Sequence, residues 1–365
     1  MKFEIKKLVF EVVLAKTVSV LATKDLLPIL KNFNITVEKG SLRVVATDLE
    51  LSVIAKTELV NCIESGQVLF PGRKLLEIIK SCEDAVVTVA VEKEVATITC
   101  AGATWDISLM PSTGYPIVPD VDAASAVVVS RAAFVNALTK VKGAAAKEGV
   151  RPALQMVDVS KGNVRASDGA IFRQVHVSEL ADMEMQIPLG AVEDLVKLLR
   201  STEADKMGIG QTADHLLFIL GGDVFIITKN NVEYPDVEGL LLAPALTNKC
   251  RLTVDRQQLI AGVRRVRINA DEDTKSVAFV LTTDSLDLRT HDKYGDAADQ
   301  VLEVSYTAPA RTFGVNHENL IDALQAIDAQ TVTIMLGDNS GSKKAPLFIE
   351  DGDTVAVIQQ LKLRK

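Results

Sequence analysis

The chain has 365 residues, of which 48% are hydrophobic and only 4% aromatic, so it holds enough apolar material for packed cores and those cores must be aliphatic. Its 40 Lys and Arg against 48 Asp and Glu give a net charge of −8. That balance excludes a uniformly basic nucleic-acid binder and requires any DNA-facing surface to be segregated. No run of about 20 apolar residues occurs, so no membrane-spanning helix is expected. Glu11 and Lys16 break the N-terminal apolar stretch before it reaches signal-peptide quality, and a cytoplasmic, soluble protein is expected. The four cysteines, Cys62, Cys82, Cys100 and Cys250, lie far apart without a CxxC and read as reduced, buried thiols.

In chain order the elements recur with a period of about 120 residues. A helix is predicted over 7–14 from apolar residues at three-to-four spacing, followed by a hairpin of strands 33–37 and 41–46 around Lys39-Gly40. A second helix over 75–79 follows Phe70-Pro71, and an alternating strand over 86–91 comes after it. The same order returns as a helix over 134–141, a hairpin of 154–159 and 163–166 around Lys161-Gly162, and a helix over 192–199 after Ile187-Pro188. It returns again as a helix over 258–265, a hairpin of 277–281 and 285–290 around Thr283-Asp284, a helix over 320–324 after Asn316, and a strand over 331–336. Polar or Pro-bearing stretches at 119–123 and 244–248 suit linkers, which divides the chain into domains 1–120, 121–244 and 245–365. The fold class is α+β, three times over.

Chemistry leaves little trace. No Walker A loop, GxGxxG, HExxH or GxSxG is present, and His176, His215, His291 and His317 stand without partners at ligand spacing. No catalytic residue, metal site or cofactor is expected. Asp48 in Ala46-Thr47-Asp48 and Asp168 in Ala166-Ser167-Asp168 occupy the same place in the first two repeats. A paired-carboxylate enzyme is conceivable there, but Asp after a strand more often turns the chain by bonding its own backbone. The run Ser340-Gly341-Ser342-Lys343-Lys344 lacks a following helix and reads as a solvated hairpin loop rather than a phosphate cradle. Five of the six predicted helical segments are basic or neutral, the sixth, around Asp322, is acidic, and the remainder of the chain is strongly acidic. Basic helices on an acidic protein are what a DNA-facing surface inside a repelling shell would look like.

Leu26-Leu27-Pro28-Ile29-Leu30, the run 40–50, Phe70-Pro71-Gly72-Arg73-Lys74-Leu75-Leu76, Ala166-Ser167-Asp168-Gly169 and Tyr234-Pro235-Asp236 together resemble the bacterial DNA polymerase III beta subunit, or beta sliding clamp, family along the whole chain. The resemblance implies three DNA-clamp domains per chain, with helices lining a ring and sheets outside, closed by a head-to-tail homodimer. A 120-residue unit is about 30 Å across, so six in a ring leave an opening of roughly 30 Å, enough for duplex DNA. The activity implied is that of a replication processivity factor, not an enzyme. It encircles double-stranded DNA without base readout and tethers the replicative DNA polymerase through an interdomain peptide pocket. A separate clamp loader, repair polymerases and ligase are further implied partners, and no membrane is.

By the same resemblance, Lys24, Arg73, Lys140, Lys142, Lys147 and Arg264 face DNA; Leu154, Ser167, Gly169, Phe172, Pro235, Leu240, Ile358 and Gln360 line the partner pocket; and Trp105, Ile107 and Ile268 lie at the dimer interface. The chain departs from the family at Ala170-Ile171 in place of His-Arg, at Gly239-Leu240 in place of Arg-Val, and in its tail from Gln359 onward, as a divergent or phage-encoded member would. The competing reading is a non-encircling scaffold that binds linear peptide motifs.

Overall fold

One hydrogen bond is made three times. The first residue of each leading helix, Lys7, Arg131 or Arg256, donates its backbone N–H to the carbonyl of Ala85, Asp205 or Gln330, at 2.9, 2.9 and 2.8 Å. In the last two repeats the side chain copies the pattern as well. Arg131 donates to the carbonyls of Leu199 and Ala204, and Arg256 to those of Leu324 and Ala329, so each guanidinium caps the end of the second helix, where carbonyls lack helical donors. The threefold recurrence expected from the sequence is therefore present in the hydrogen bonding.

The computed structural model describes residues 1–22, 27–119, 126–149, 151–202, 204–230, 232–291, 294–337 and 345–363. The predicted helices are α1 (Lys7–Thr17), α2 (Gly72–Ser81), α3 (Arg131–Val141), α4 (Leu189–Arg200), α6 (Arg256–Val266) and α7 (His317–Gln325), with a short α5 (Ala243–Ala245) between α4 and α6. Their apolar stripes face inward: Phe10, Val13, Leu14 and Thr17 of α1 are buried, while Leu8 and Val12 on its other side are about half exposed. Asp255 caps α6 by accepting from the Gln258 N–H, and Asn316 caps α7 by accepting from Glu318 and Asn319.

Contacts divide the chain into two units, Met1–Ala132 with Glu193–Asn230, and Ala133–Val192 with Asn231–Lys365. The first holds a five-stranded sheet, ending in the edge strand Ala103–Ser108, and an eight-stranded sheet. In the eight-stranded sheet the strands Asn32–Glu38, Ser41–Thr47 and Leu51–Glu58 of the first repeat are continued by Asp223–Thr228, His215–Leu220 and Lys206–Gln211 of the second, all antiparallel. The second unit holds a nine-stranded sheet and a four-stranded one. There Ile171–His176 pairs with Thr354–Ile358 in the same way, Phe172 opposite Val357. Ala297–Glu303 and Arg311–Asn316 are the edges of the four-stranded sheet.

All four cysteines are free thiols, but only Cys82 and Cys100 are buried; Cys62 and Cys250 are half-buried. Burial and the neighbouring Cys100 push the Cys82 thiol up to about 11. Among the described residues no helix is long and apolar enough to cross a membrane, and no group of three or more His, Cys, Asp or Glu could hold a metal ion. The Ser340–Lys344 reading and most of the 119–123 linker lie outside the described residues.

Candidate functional site

Asp168 and Asp48 are turn residues. Asp168 Oδ1 accepts the N–H groups of Ala170 and Ile171, both at 2.8 Å, and Asp48 Oδ1 accepts those of Glu50 and Leu51 at 3.0 and 2.7 Å. The hydroxyl beside each completes the loop: Ser167 Oγ donates to the Ile171 carbonyl and accepts from Gly169, as Thr47 Oγ1 does with Leu51 and Leu49. With both carboxylates satisfied by their own loops, the paired-carboxylate reading has no geometry behind it. The third residue of each loop has positive φ, +93° at Gly169 and +81° at Leu49. Glycine takes that conformation without strain, and leucine does not.

Beside the Asp168 loop, the second unit builds an apolar corner on one face of the nine-stranded sheet. Leu154, Phe172, Phe348 and Val357 form its floor, and the segment after Tyr234-Pro235 lays Val237, Leu241 and Ala245 on them. That segment winds as a π-helix over Glu238–Leu242 and continues into α5, so Pro244 begins a helical turn instead of ending one. Of the pocket residues expected from the sequence, the structure brings Leu154 and Phe172 into this cluster. Ser167 and Gly169 stand in the adjoining loop, and Ile358 sits opposite both Ile171 and Leu347 in the sheet. Pro235 is half-buried at the start of the segment, and Leu240 is 67% exposed on its outer side. Gln360 turns its amide to the Ala345 carbonyl at 2.8 Å.

A polar network lies under the corner. Arg165 donates to Asp158 Oδ2 at 2.7 Å and to the Glu238 carboxylate, while its guanidinium lies over the Tyr234 ring. Gln186 donates to the other Asp158 oxygen at 2.9 Å. Burial alone would lower the Arg165 pKa, but the two carboxylates outweigh it and the pKa rises. Burial pushes the Tyr234 phenol up. Sequence reasoning missed Arg165, Asp158, Glu238, Tyr234, Val237, Leu241, Ala245, Phe348 and Val357 as parts of this corner. The signal was the apolar run after Tyr234-Pro235-Asp236, which looks like a hydrophobic patch followed by a linker.

The tail beyond Ile358 is held by the main chain at two points, Gln359 and Leu361. Gln359 donates its N–H to the Ala170 carbonyl at 2.9 Å, and Leu361 donates to Gly314 at 2.8 Å, adding an isolated bridge to the free edge of Arg311–Asn316. Gly314 permits this approach, because a Cβ there would stand 2.9 Å from Leu363 Cδ2 and 3.2 Å from the Leu361 oxygen.

The basic residues expected to face DNA fare unevenly. Arg73, Lys147 and Arg264 are exposed, and Lys142 is half-buried. Lys140 is engaged with Asp328 Oδ2 at 2.6 Å and with Thr354 Oγ1, its side chain only 12% exposed, in a cleft also lined by His176, Asp351 and Asp353. Two basic residues of α1 are likewise paired, Lys7 with Glu11 and Lys16 with Asp223. Lys24 lies outside the described residues. At the expected interface, Ile268 is 81% exposed, whereas Trp105 is half-buried and Ile107 is only 1% exposed, so the edge strand Ala103–Ser108 presents mainly the small and polar residues Ala103, Thr104, Asp106 and Ser108.

Comparison with known proteins agrees with this architecture. Residues 1–119 match the family model of the DNA polymerase III beta subunit N-terminal domain, and residues 244–358 that of its C-terminal domain. The beta sliding clamp of Pseudomonas aeruginosa is 25% identical over 360 residues, covering 94% of this chain and 95% of the relative, and that of Vibrio cholerae is 24% identical with both chains fully covered. The crystal structure of the Pseudomonas aeruginosa DNA polymerase III subunit beta superposes with a TM-score of 0.90 at 23% identity, over 99% of this chain and 100% of that one. The Thermotoga maritima beta subunit gives 0.87 at 20% identity, over the whole of both chains. With both ends matched by its domain models and the threefold α+β architecture in place, the chain belongs to the bacterial DNA polymerase III beta subunit, or beta sliding clamp, family.

Proposed function

We propose that the protein is a DNA sliding clamp, a non-enzymatic processivity factor that closes as a homodimeric ring around duplex DNA and tethers a replicative polymerase. The observation that carries this reading is the family match of both ends of the chain. The clamp domains are taken as 1–120, 121–244 and 245–365. The apolar corner of Leu154, Phe172 and the 237–245 segment supports the tether, since the exposed Leu240 and Leu246 beside this buried cluster offer a short linear peptide apolar surface to pack on. Exposed Arg73, Lys147 and Arg264 support contact with phosphates without base readout. Ring closure would join the Ala103–Ser108 edge of one protomer to the Ile268 region of its partner. A clamp loader supplies the ATP chemistry that opens the ring, and the protein works in the cytoplasm. Repair polymerases and ligase would share the same corner.

Small-angle scattering with absolute mass is the first test. A particle of twice 39.4 kDa with a hollow-ring distance distribution is expected, and loader-dependent retention on circular DNA follows. A 39.4 kDa particle across micromolar concentrations would overturn encirclement and favour a scaffold that binds linear peptides.

A further inference from the structure

One helix carries the wrong sign for a surface that faces DNA. α7 has no Lys or Arg, exposes Glu318 and Asp322, and is followed by exposed Asp328. Each of these three carboxylates holds a cation within the second unit. Glu318 lies 2.6 Å from Lys275, Asp328 lies 2.6 Å from Lys140, and Asp322 lies 3.9 Å from the guanidinium of Arg173. Lys275 belongs to the last repeat, but Lys140 and Arg173 belong to the middle one.

The Lys140 pair is the one built into its surroundings. The ammonium is fastened twice, to Asp328 Oδ2 and at 3.3 Å to the hydroxyl of buried Thr354. The turn that carries Asp328 is fixed in its own right, because Asp351 Oδ2 accepts the N–H groups of Asp328 and Ala329 at 2.9 and 3.0 Å. Around the pair a cleft of about 660 Å³ is lined by Glu179, Asp328, Asp351 and Asp353, and Lys140 is the only Lys or Arg among the described residues that line it. A phosphate entering that cleft would meet four carboxylates, so Lys140 reaches one only by leaving Asp328. Such a move exchanges one ion pair for another and adds little to affinity or to the number of counterions released.

We propose that Asp328 is a built-in competitor of the DNA backbone, which occupies Lys140 in the place of a phosphate and keeps this end of α3 out of the DNA-binding surface. The inference rests on the clamp reading only in taking duplex DNA as the polyanion. It explains why a basic helix and an acidic one can stand side by side in the same unit: the acidic one neutralises selected cations and leaves others, such as exposed Lys147, to the solvent.

The test is loader-free binding of a fluorescein-labelled DNA duplex to the full-length protein, followed by anisotropy through a salt series. Lys140→Met alone should leave the slope of log affinity against log salt unchanged, whereas Arg264→Ala lowers it by about 1. Asp328→Asn, at a side chain 81% exposed and so tolerant of the change, should tighten binding severalfold and steepen the slope by about 1. Adding Lys140→Met to Asp328→Asn should return the slope to the wild-type value. The slope decides, since removal of any carboxylate near DNA tightens binding through the general field of the protein. A slope that falls with Lys140→Met alone, or that does not respond to Asp328→Asn, overturns the proposal. Scattering mass separates this outcome from the clamp reading. A hollow ring whose slope ignores Asp328 keeps encirclement and removes the competitor, while Lys140-dependent steepening in a 39.4 kDa particle keeps the competitor and removes encirclement.

Discussion

Asp48 and Asp168 each hold two backbone amides, so their contribution is to loop stability. Asp168→Ala should lower stability by about 1–2 kcal/mol in urea denaturation, and Asp168→Asn by less, since its Oδ1 still accepts. Leu49 gives the opposite sign. At φ +81° and about half exposed, it holds leucine where its repeat has Gly169, and Leu49→Gly should stabilise by about 1 kcal/mol once strain relief is set against the extra freedom of the unfolded chain. His317, the first residue of α7, is buried, and desolvation lowers its pKa from 6.5; Arg267 and Lys275 lower it further, against Glu318. The unfolded chain therefore takes up the proton first. The resulting stability is complete above about pH 6.5 and is lost as the pH falls through the folded value. Melting temperatures between about pH 7.5 and 5.5 should drop more steeply for the wild type than for His317→Gln.

At the scale of elements, the leading helices and their hairpins were legible because each has an amphipathic period and a Lys-Gly or Asp turn. The corner was not. Gly239 and Pro244 are both turn formers, and the π-helical start that places Val237 and Leu241 on Phe172 depends on strands more than a hundred residues away in sequence. Arg165 was invisible for a related reason, since its partners Asp158 and Glu238 come together only through the hairpin and the overlying segment. Lys140 shows the converse: basic residues on a helix read as a surface, and the structure turns this one onto Asp328. The tail makes an element-level prediction. Gly314→Val should displace Leu361 and Leu363 from the sheet edge, so that trypsin cuts after Lys362 faster while the melting temperature hardly changes. Equal cleavage rates would mean that the bridge contributes nothing to holding the tail.

For the whole molecule, the expected ring makes surface and assembly effects separable. Ile268→Asp, at an 81% exposed position, should halve the scattering mass without changing the fold measured by circular dichroism. Arg264→Ala should weaken direct, loader-free binding to duplex DNA uniformly across sequences and reduce the slope against log salt by about 1.

The antiparallel ladders that join Leu51–Glu58 to Asp223–Thr228, and Ile171–His176 to Thr354–Ile358, also bear on ancestry. Main-chain pairing is indifferent to sequence, so a recombination event between relatives at the linkers would still find its hydrogen bonds. The side chains stacked over those seams, Val45 and Ile54 with Leu217 and Ile226, and Phe172 with Phe348 and Val357, would not find theirs. The middle third of the chain is thus divided between two packed units, each half fitted to a different neighbour, and chimeras with crossovers inside it should keep their stability better than chimeras with crossovers at its ends.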